Sequence, residues 1–211
     1  AAEELWGNLA YSQILNVEDE TIRAIKTLGL KASTVPQLMA EARKVVSGRG
    51  LDITPFKELL EKYVDEEKIR SSPCDLYVTS LSVTDRREVV FDVKQAPSGT
   101  IKDVLLASAF FPAFKNEKLG GKTYLDGGMV NNVPVDVLAE RGYKNLIVIR
   151  IYGIGVDTER RTELPEDVNV YRIAPRRNLG GILEFEKKRT RRNMTLGYFD
   201  ARRLLYGLAG R

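Results

Sequence analysis

Hydrophobic positions recur with a helical period through the first seventy residues, gather into strand-like runs in the middle, and mix both habits toward the end. Pro36 opens an apolar-periodic run over residues 37–46 that stops at Ser47-Gly48, with Pro at the start of a helix and Gly just past its end. Thr54-Pro55 opens another helix, with Thr54 as N-cap and Pro at its first position. Phe56, Leu59, Leu60 and Tyr63 share one face of it, and Ser71-Ser72-Pro73 stops it. Leu5, Trp6, Leu9, Tyr11 and Ile14 read as a core helix.

Residues 76–83 and 88–93 are rich in β-formers and are joined by the short polar Thr84-Asp85-Arg86-Arg87, which predicts an antiparallel hairpin. Thr100 caps a helix through Ile101, Val104, Leu105 and Ala109 that Pro112 ends. A Gly-rich turn at Gly120-Gly121 precedes Thr123-Tyr124-Leu125 and Asp126-Gly127-Gly128. A helix from Pro134 to Gly142 follows. Then comes the β-branched run 146–151, the mark of a strand covered on both faces. Residues 168–173 make another strand, and a long helix through Phe185, Met194, Leu196, Phe199 and Leu204 closes the chain. The alternation predicts an α/β fold with a largely buried sheet. It is organised as one domain over residues 1–211: a mainly helical segment (1–72), a sheet core (73–175) and a basic C-terminal helix (176–211).

Composition narrows the chemistry. The 211 residues contain no His and a single cysteine, Cys74. A Ser-His-Asp triad, a Cys-His pair, a His-ligated metal, an internal disulfide and a thiolate zinc cage are all excluded on residue types alone. Carboxylates, hydroxyls, lysines and one thiol remain. Asp75 beside Cys74 disfavours the thiolate, so Cys74 reads as a small buried hydrophobe, and a lone cysteine suits a reducing compartment. No stretch approaches eighteen uncharged apolar residues, so no membrane-spanning helix is expected.

Charge is uneven. Residues 170–211 hold eleven Lys and Arg against three acidic residues, so the first 169 carry a net −4 within an overall +4. The run Lys187, Lys188, Arg189, Arg191 and Arg192 admits two readings: a solvated helix face, or a patch drawn to an anionic membrane surface. Nucleic acid is not expected, because neither a recognition motif nor an interleaved aromatic platform accompanies the run.

The most informative stretch is residues 124–134, Tyr-Leu-Asp-Gly-Gly-Met-Val-Asn-Asn-Val-Pro. An Asp at a strand end followed by two glycines is a carboxylate with an unencumbered backbone beside it. The glycines permit either positive φ or close approach of another segment or a substrate. Asn131 and Asn132 add amide donors, and Pro134 sets the entry to the next helix. The same pattern also fits a tight turn in which Asp126 merely accepts nearby N–H groups.

Asp126-Gly127-Gly128 with Asn132-Val133-Pro134 resembles the D-G-G…N-x-P block of the patatin-like phospholipases. Residues 107–114, Ala-Ser-Ala-Phe-Phe-Pro-Ala-Phe, resemble that family's A-S-x-x-x-P-x-F helix end. The hairpin ending Val89-Val90-Phe91, the strand at Leu146–Ile149 and the closing Leu196–Ala201 resemble its bacterial members, in order from about Leu5 to about Leu205. The resemblance implies a three-layer α/β fold and lipid acyl hydrolysis by a Ser-Asp dyad, with no metal or organic cofactor. Asp126 then stands at the general base, and Gly127, Gly128 and Asn132 shape its loop. The substrate is a phospholipid or other acyl ester, and the setting is cytoplasmic or peripheral to a membrane.

One departure is plain: no G-x-S-x-G elbow and no oxyanion loop of the G-G-G-x-x-G type occur in these residues. Together with the opening Ala1-Ala2-Glu3-Glu4, this reads as the later portion of a patatin-like domain, incomplete at its N-terminal side, with the nucleophilic Ser supplied by a segment absent here. Ser47, Ser98 and Ser108 carry no elbow signature and read as capping or turn residues. Two other readings stay open: a non-catalytic lipid- or protein-binding module using the basic helix, and an acyltransferase in which an alcohol replaces water.

Overall fold

The computed structural model describes residues 2–16, 22, 50–151, 163–181 and 184–209. The helix expected over residues 37–46, with Ser47, lies outside them. In chain order the elements are α1 (Ala2–Asn8), a 3-10 turn (Tyr11–Gln13), α2 (Thr54–Tyr63), α3 (Glu66–Ser71), β1 (Tyr77–Ser82), β2 (Arg87–Asp92), a 3-10 turn (Val93–Gln95) and α4 (Ile101–Ser108). After these come β3 (Lys118–Leu119), β4 (Lys122–Asp126), a 3-10 turn (Gly127–Met129), α5 (Val135–Ala139), β5 (Asn145–Ile149), β6 (Asn169–Ile173) and α6 (Lys187–Ala209). Helices and strands mix throughout, as an α/β fold requires.

Four strands form an antiparallel sheet in the order β2-β1-β4-β3. The β1–β2 hairpin pairs Tyr77 with Asp92 through to Ser82 with Arg87, around a turn in which Arg86 takes a φ of 54°. Strand β1 also pairs with β4, setting Ser80 opposite Asp126. Gly120 and Gly121 both take positive φ at the β3–β4 turn, which explains the two glycines there. Ile101, Leu106, Ala107, Phe110, Phe111 and Phe114, from α4 and the segment after it, are buried and supply much of the core. Against Leu106, Ala107 and the three phenylalanines pack Leu9, Ile14, Leu15, Leu51 and Ile53, with Phe56, Leu59 and Leu60 of α2 at the margin, while Ile101 packs with Val93 and Val104.

The second sheet is the parallel pair β5–β6. Its buried face, Leu146 and Val148, packs with Val135 of α5, Val168 and Val170. The other face corrects the expectation of a strand covered on both sides. Ile147, Ile149 and Ile151 are 60%, 68% and 72% exposed, so among the described residues β5 alternates like a strand covered on one side.

Three local expectations also change. The helix from Thr54 breaks at Val64, and Asp65 caps α3 by accepting the Lys68 N–H at 3.0 Å. Thr54 is the first helical residue and not the cap: Asp52 Oδ1 accepts both its N–H and its hydroxyl, at 2.9 and 2.7 Å. Cys74 is exposed, in a segment ahead of β1 whose residues 73–76 all lie at the surface.

Candidate active site

The site begins with a seam between α4 and the first sheet. The N–H of Asp126, the last residue of β4, donates to the carbonyl of Phe110 at 2.9 Å, tying the strand end to the segment leaving α4. Ser80 of β1 is wholly buried, and its hydroxyl lies 2.8 Å from the carbonyl oxygens of both Ala107 and Leu125, sharing one proton between them. Ser108 donates to the Thr79 carbonyl at 2.7 Å. Three short links therefore lock α4, β1 and β4 together at the point where the carboxylate emerges.

Beyond Asp126 the chain enters the 3-10 turn Gly127–Met129 with Asp126 as its cap, and Oδ1 accepts the Gly128 N–H at 2.7 Å. The local bond is the one an Asx turn makes. Close packing, not positive φ, explains the glycines. A methyl group on Gly127 would lie 2.3 Å from both the carbonyl oxygen and Oγ1 of Thr79. On Gly128 it would lie 3.0 Å from Asn132 Oδ1 and 3.1 Å from Asp126 Oδ1. The first glycine lets the turn seat on β1; the second lets a carboxylate and an amide close on bare backbone.

Only one Asp126 oxygen is used by the turn. Oδ2 accepts no hydrogen bond among the described residues. Burial pushes the Asp126 carboxyl above its ordinary range, with the Gly128 N–H acting in the opposite direction. The result is a half-held carboxylate, more basic than a solvated one.

The two asparagines separate. Asn132 is exposed beside Gly128. Asn131 is 1% exposed, and its Nδ2 donates to Glu88 Oε1 at 3.1 Å and to Asp136 Oδ1 at 3.0 Å. The amide thus fastens the turn to β2 on one side and to the first turn of α5 on the other. The sequence signals that Asn131 is a donor, but not that a carboxylate from the distant β2 receives it. Thr79 and Ser80 carry no motif and were invisible in the sequence for the same reason: their partners lie 27 to 45 residues away.

The model of the patatin-like phospholipase family matches residues 4–139 of the chain, well over half of it. The chain belongs to the patatin-like phospholipase family. The matched residues run from α1 to the end of α5, so they contain the α4 seam, Asp126 and the two glycines. The blocks at Leu146–Ile149 and Leu196–Ala201 lie beyond them. No curated protein matches the chain. As a patatin-like phospholipase, it falls among hydrolases that act on lipid acyl esters. Among the described residues no helix is long and apolar enough to cross a membrane.

Among the described residues, three serines near the seam have hydroxyls already engaged in the scaffold. The Ser108 hydroxyl is committed to Thr79, Ser80 to two carbonyls, and Ser82 to Asp85 Oδ2 at 2.9 Å. Ser98 is exposed in the turn before α4.

The basic run on α6 divides as well. Lys187, Lys188 and Arg192 are exposed. Arg189 pairs with Glu184 at 2.6 Å. Arg191 donates to the Gly7 carbonyl at 3.2 Å and lies 3.4 Å from Asn8 Oδ1, joining α6 to α1. Two of the five cations thus have structural work.

Proposed function

We propose that this chain carries the general base of a Ser-Asp lipid acyl hydrolase, a phospholipase A or esterase, with Asp126 as that base. The observation that supports the reading is the division of labour in one carboxylate: Oδ1 is held by Gly128, Oδ2 is open, and burial raises basicity. A base must be fixed in direction yet keep a lone pair for the incoming proton.

The chemistry runs in two displacements. A Ser hydroxyl from outside these 211 residues attacks the ester carbonyl carbon while Asp126 Oδ2 takes its proton. The tetrahedral intermediate collapses, its C–O bond breaks, and the proton passes from Asp126 to the departing alcohol. Water then attacks the acyl-Ser ester and loses its proton to Asp126. Collapse releases the fatty acid and returns the proton to Ser. Gly128 keeps a side chain away from the carboxylate, Gly127 lets the loop seat on β1, and Asn132 lines the same loop. The reading needs no cofactor. Its substrate is an acyl ester or phospholipid, met by a cytoplasmic protein peripheral to a membrane.

The test is hydrolysis of a soluble para-nitrophenyl ester by the intact gene product. Asp126→Asn lowers kcat by about 10²–10⁴-fold, the usual contribution of a positioned base, with the melting transition retained. Undiminished turnover would remove Asp126 from the mechanism.

A further inference from the structure

Helix α6 carries seven Lys and Arg and one acid, Asp200. That acid is buried and accepts from Arg176 Nε at 2.6 Å, so the helix shows no carboxylate of its own to solvent. At 100° per residue, Lys188, Arg192, Thr195, Phe199, Arg202 and Tyr206 fall within about 40° of one line along the helix. All six are exposed. Tyr198 flanks the line with its ring 5.4 Å from that of Phe199. The opposite side, including Asn193, Met194, Asp200 and Leu204, faces the protein.

The exposed line mixes cations with aromatic rings, and the rings are far out: Phe199 is 51% exposed, Tyr198 61% and Tyr206 64%. The Arg202 guanidinium stacks 5.0 Å from the Tyr206 ring centre, one turn away. We infer that this face of α6 is a docking surface for an anionic phospholipid bilayer. Aromatic rings are favoured at the boundary between headgroups and acyl chains, and cations gain about 1 kcal/mol each from anionic headgroups. A second copy fits poorly, since a two-fold contact centred on this face would set Arg192 against Arg202 with no exposed carboxylate of α6 to offset them. Glu3 and Glu4 of α1 share a cleft with Tyr198 and Phe199. They bound the face on that flank, and Lys188, Arg192 and Arg202 lie outside the cleft.

The surface differs from the basic run at residues 187–192. It excludes Arg189, which is paired, and adds Phe199, Arg202 and Tyr206 a further two to four turns along. Docking needs no turnover, so it stands or fails apart from the hydrolase reading. The experiment is co-sedimentation of the intact gene product with vesicles of phosphatidylcholine alone or mixed with phosphatidylglycerol. Binding is expected only with phosphatidylglycerol and weakens in high salt. The pairs Phe199→Ser/Tyr206→Ser and Arg192→Glu/Arg202→Glu each weaken it at least about ten-fold, whereas Lys118→Glu on β3 leaves it unchanged. Circular dichroism confirms that each variant is folded. Equal binding by folded variants, or binding to neutral vesicles alone, overturns the inference. So does a folded protein that binds neither vesicle, including one that self-associates until Phe199→Ser/Tyr206→Ser disperses it.

Discussion

The hydroxyl of Ser108 donates to the carbonyl oxygen of Thr79 at 2.7 Å, and a methyl group on Gly127 would lie 2.3 Å from that same oxygen. One main-chain oxygen of β1 therefore receives both the end of α4 and the turn after Asp126. The two sequence blocks that resemble the patatin-like family, residues 107–114 and 126–134, meet there, although they are separate in the chain. Ser108 belongs to the scaffold that aims Asp126.

This seam orders the effects of the two glycines. Gly127→Ala drives a methyl group into β1 backbone, which cannot retreat without moving a paired strand, and costs about 3 kcal/mol or more. Gly128→Ala meets only the side-chain ends of Asn132 and Asp126, which shift by a few tenths of an ångström, and costs about 1 kcal/mol, the low end for an added methyl group. Urea melts of the two variants check the order; equal destabilisation would contradict it.

Ser80→Ala removes the one proton shared by the Ala107 and Leu125 carbonyls in a fully buried place. The expected loss is about 1–3 kcal/mol. Ser108→Ala, at a part-buried bond, costs about 1 kcal/mol, and the intact gene product still takes up one fluorophosphonate adduct. Abolished labelling would reinstate Ser108 as a nucleophile.

Asn131 stands between two carboxylates. Asn131→Asp replaces the shared donor with a third anion beside Glu88 and Asp136, at a cost of about 3–5 kcal/mol at neutral pH. A thermal melt at neutral pH checks it; an undiminished melting temperature would contradict the contact.

Asp126 trades stability for basicity. Its carboxyl is pushed up by burial, so the folded state holds the proton more tightly than the unfolded state does. The stabilisation by protonation is complete below the ordinary carboxylate pKa and is lost as pH rises through the folded value. Asp126→Asn cannot ionise, so it melts higher than wild type at pH 7, and the difference closes toward about pH 4. A lower melting temperature at pH 7 would contradict the burial cost.

Features set by neighbours in sequence were legible before the structure. The β1–β2 hairpin, the turn at Gly120-Gly121 and the carboxylate ahead of two glycines each follow from residues a few positions apart. Features set by distant partners were not. The exposure of Ile147 and Ile149 depends on what covers β5, and a β-branched run reads alike with one face covered or two. Cys74 reads as buried from its residue type, whereas the whole segment 73–76 lies at the surface. The Asn131 amide and the Ser80 hydroxyl take their roles from Glu88 and Ala107, which no local pattern couples to them.

The central claim is that Asp126 is the base for a Ser hydroxyl. The most direct measurement is the intact mass of the gene product after brief exposure to a fluorophosphonate, for wild type and Asp126→Asn in parallel. The account predicts a single adduct on a serine of the wild type, formed at least about 10²-fold more slowly in the variant, with both proteins folded. Adducts formed at equal rates would show that the serine is activated by something other than Asp126.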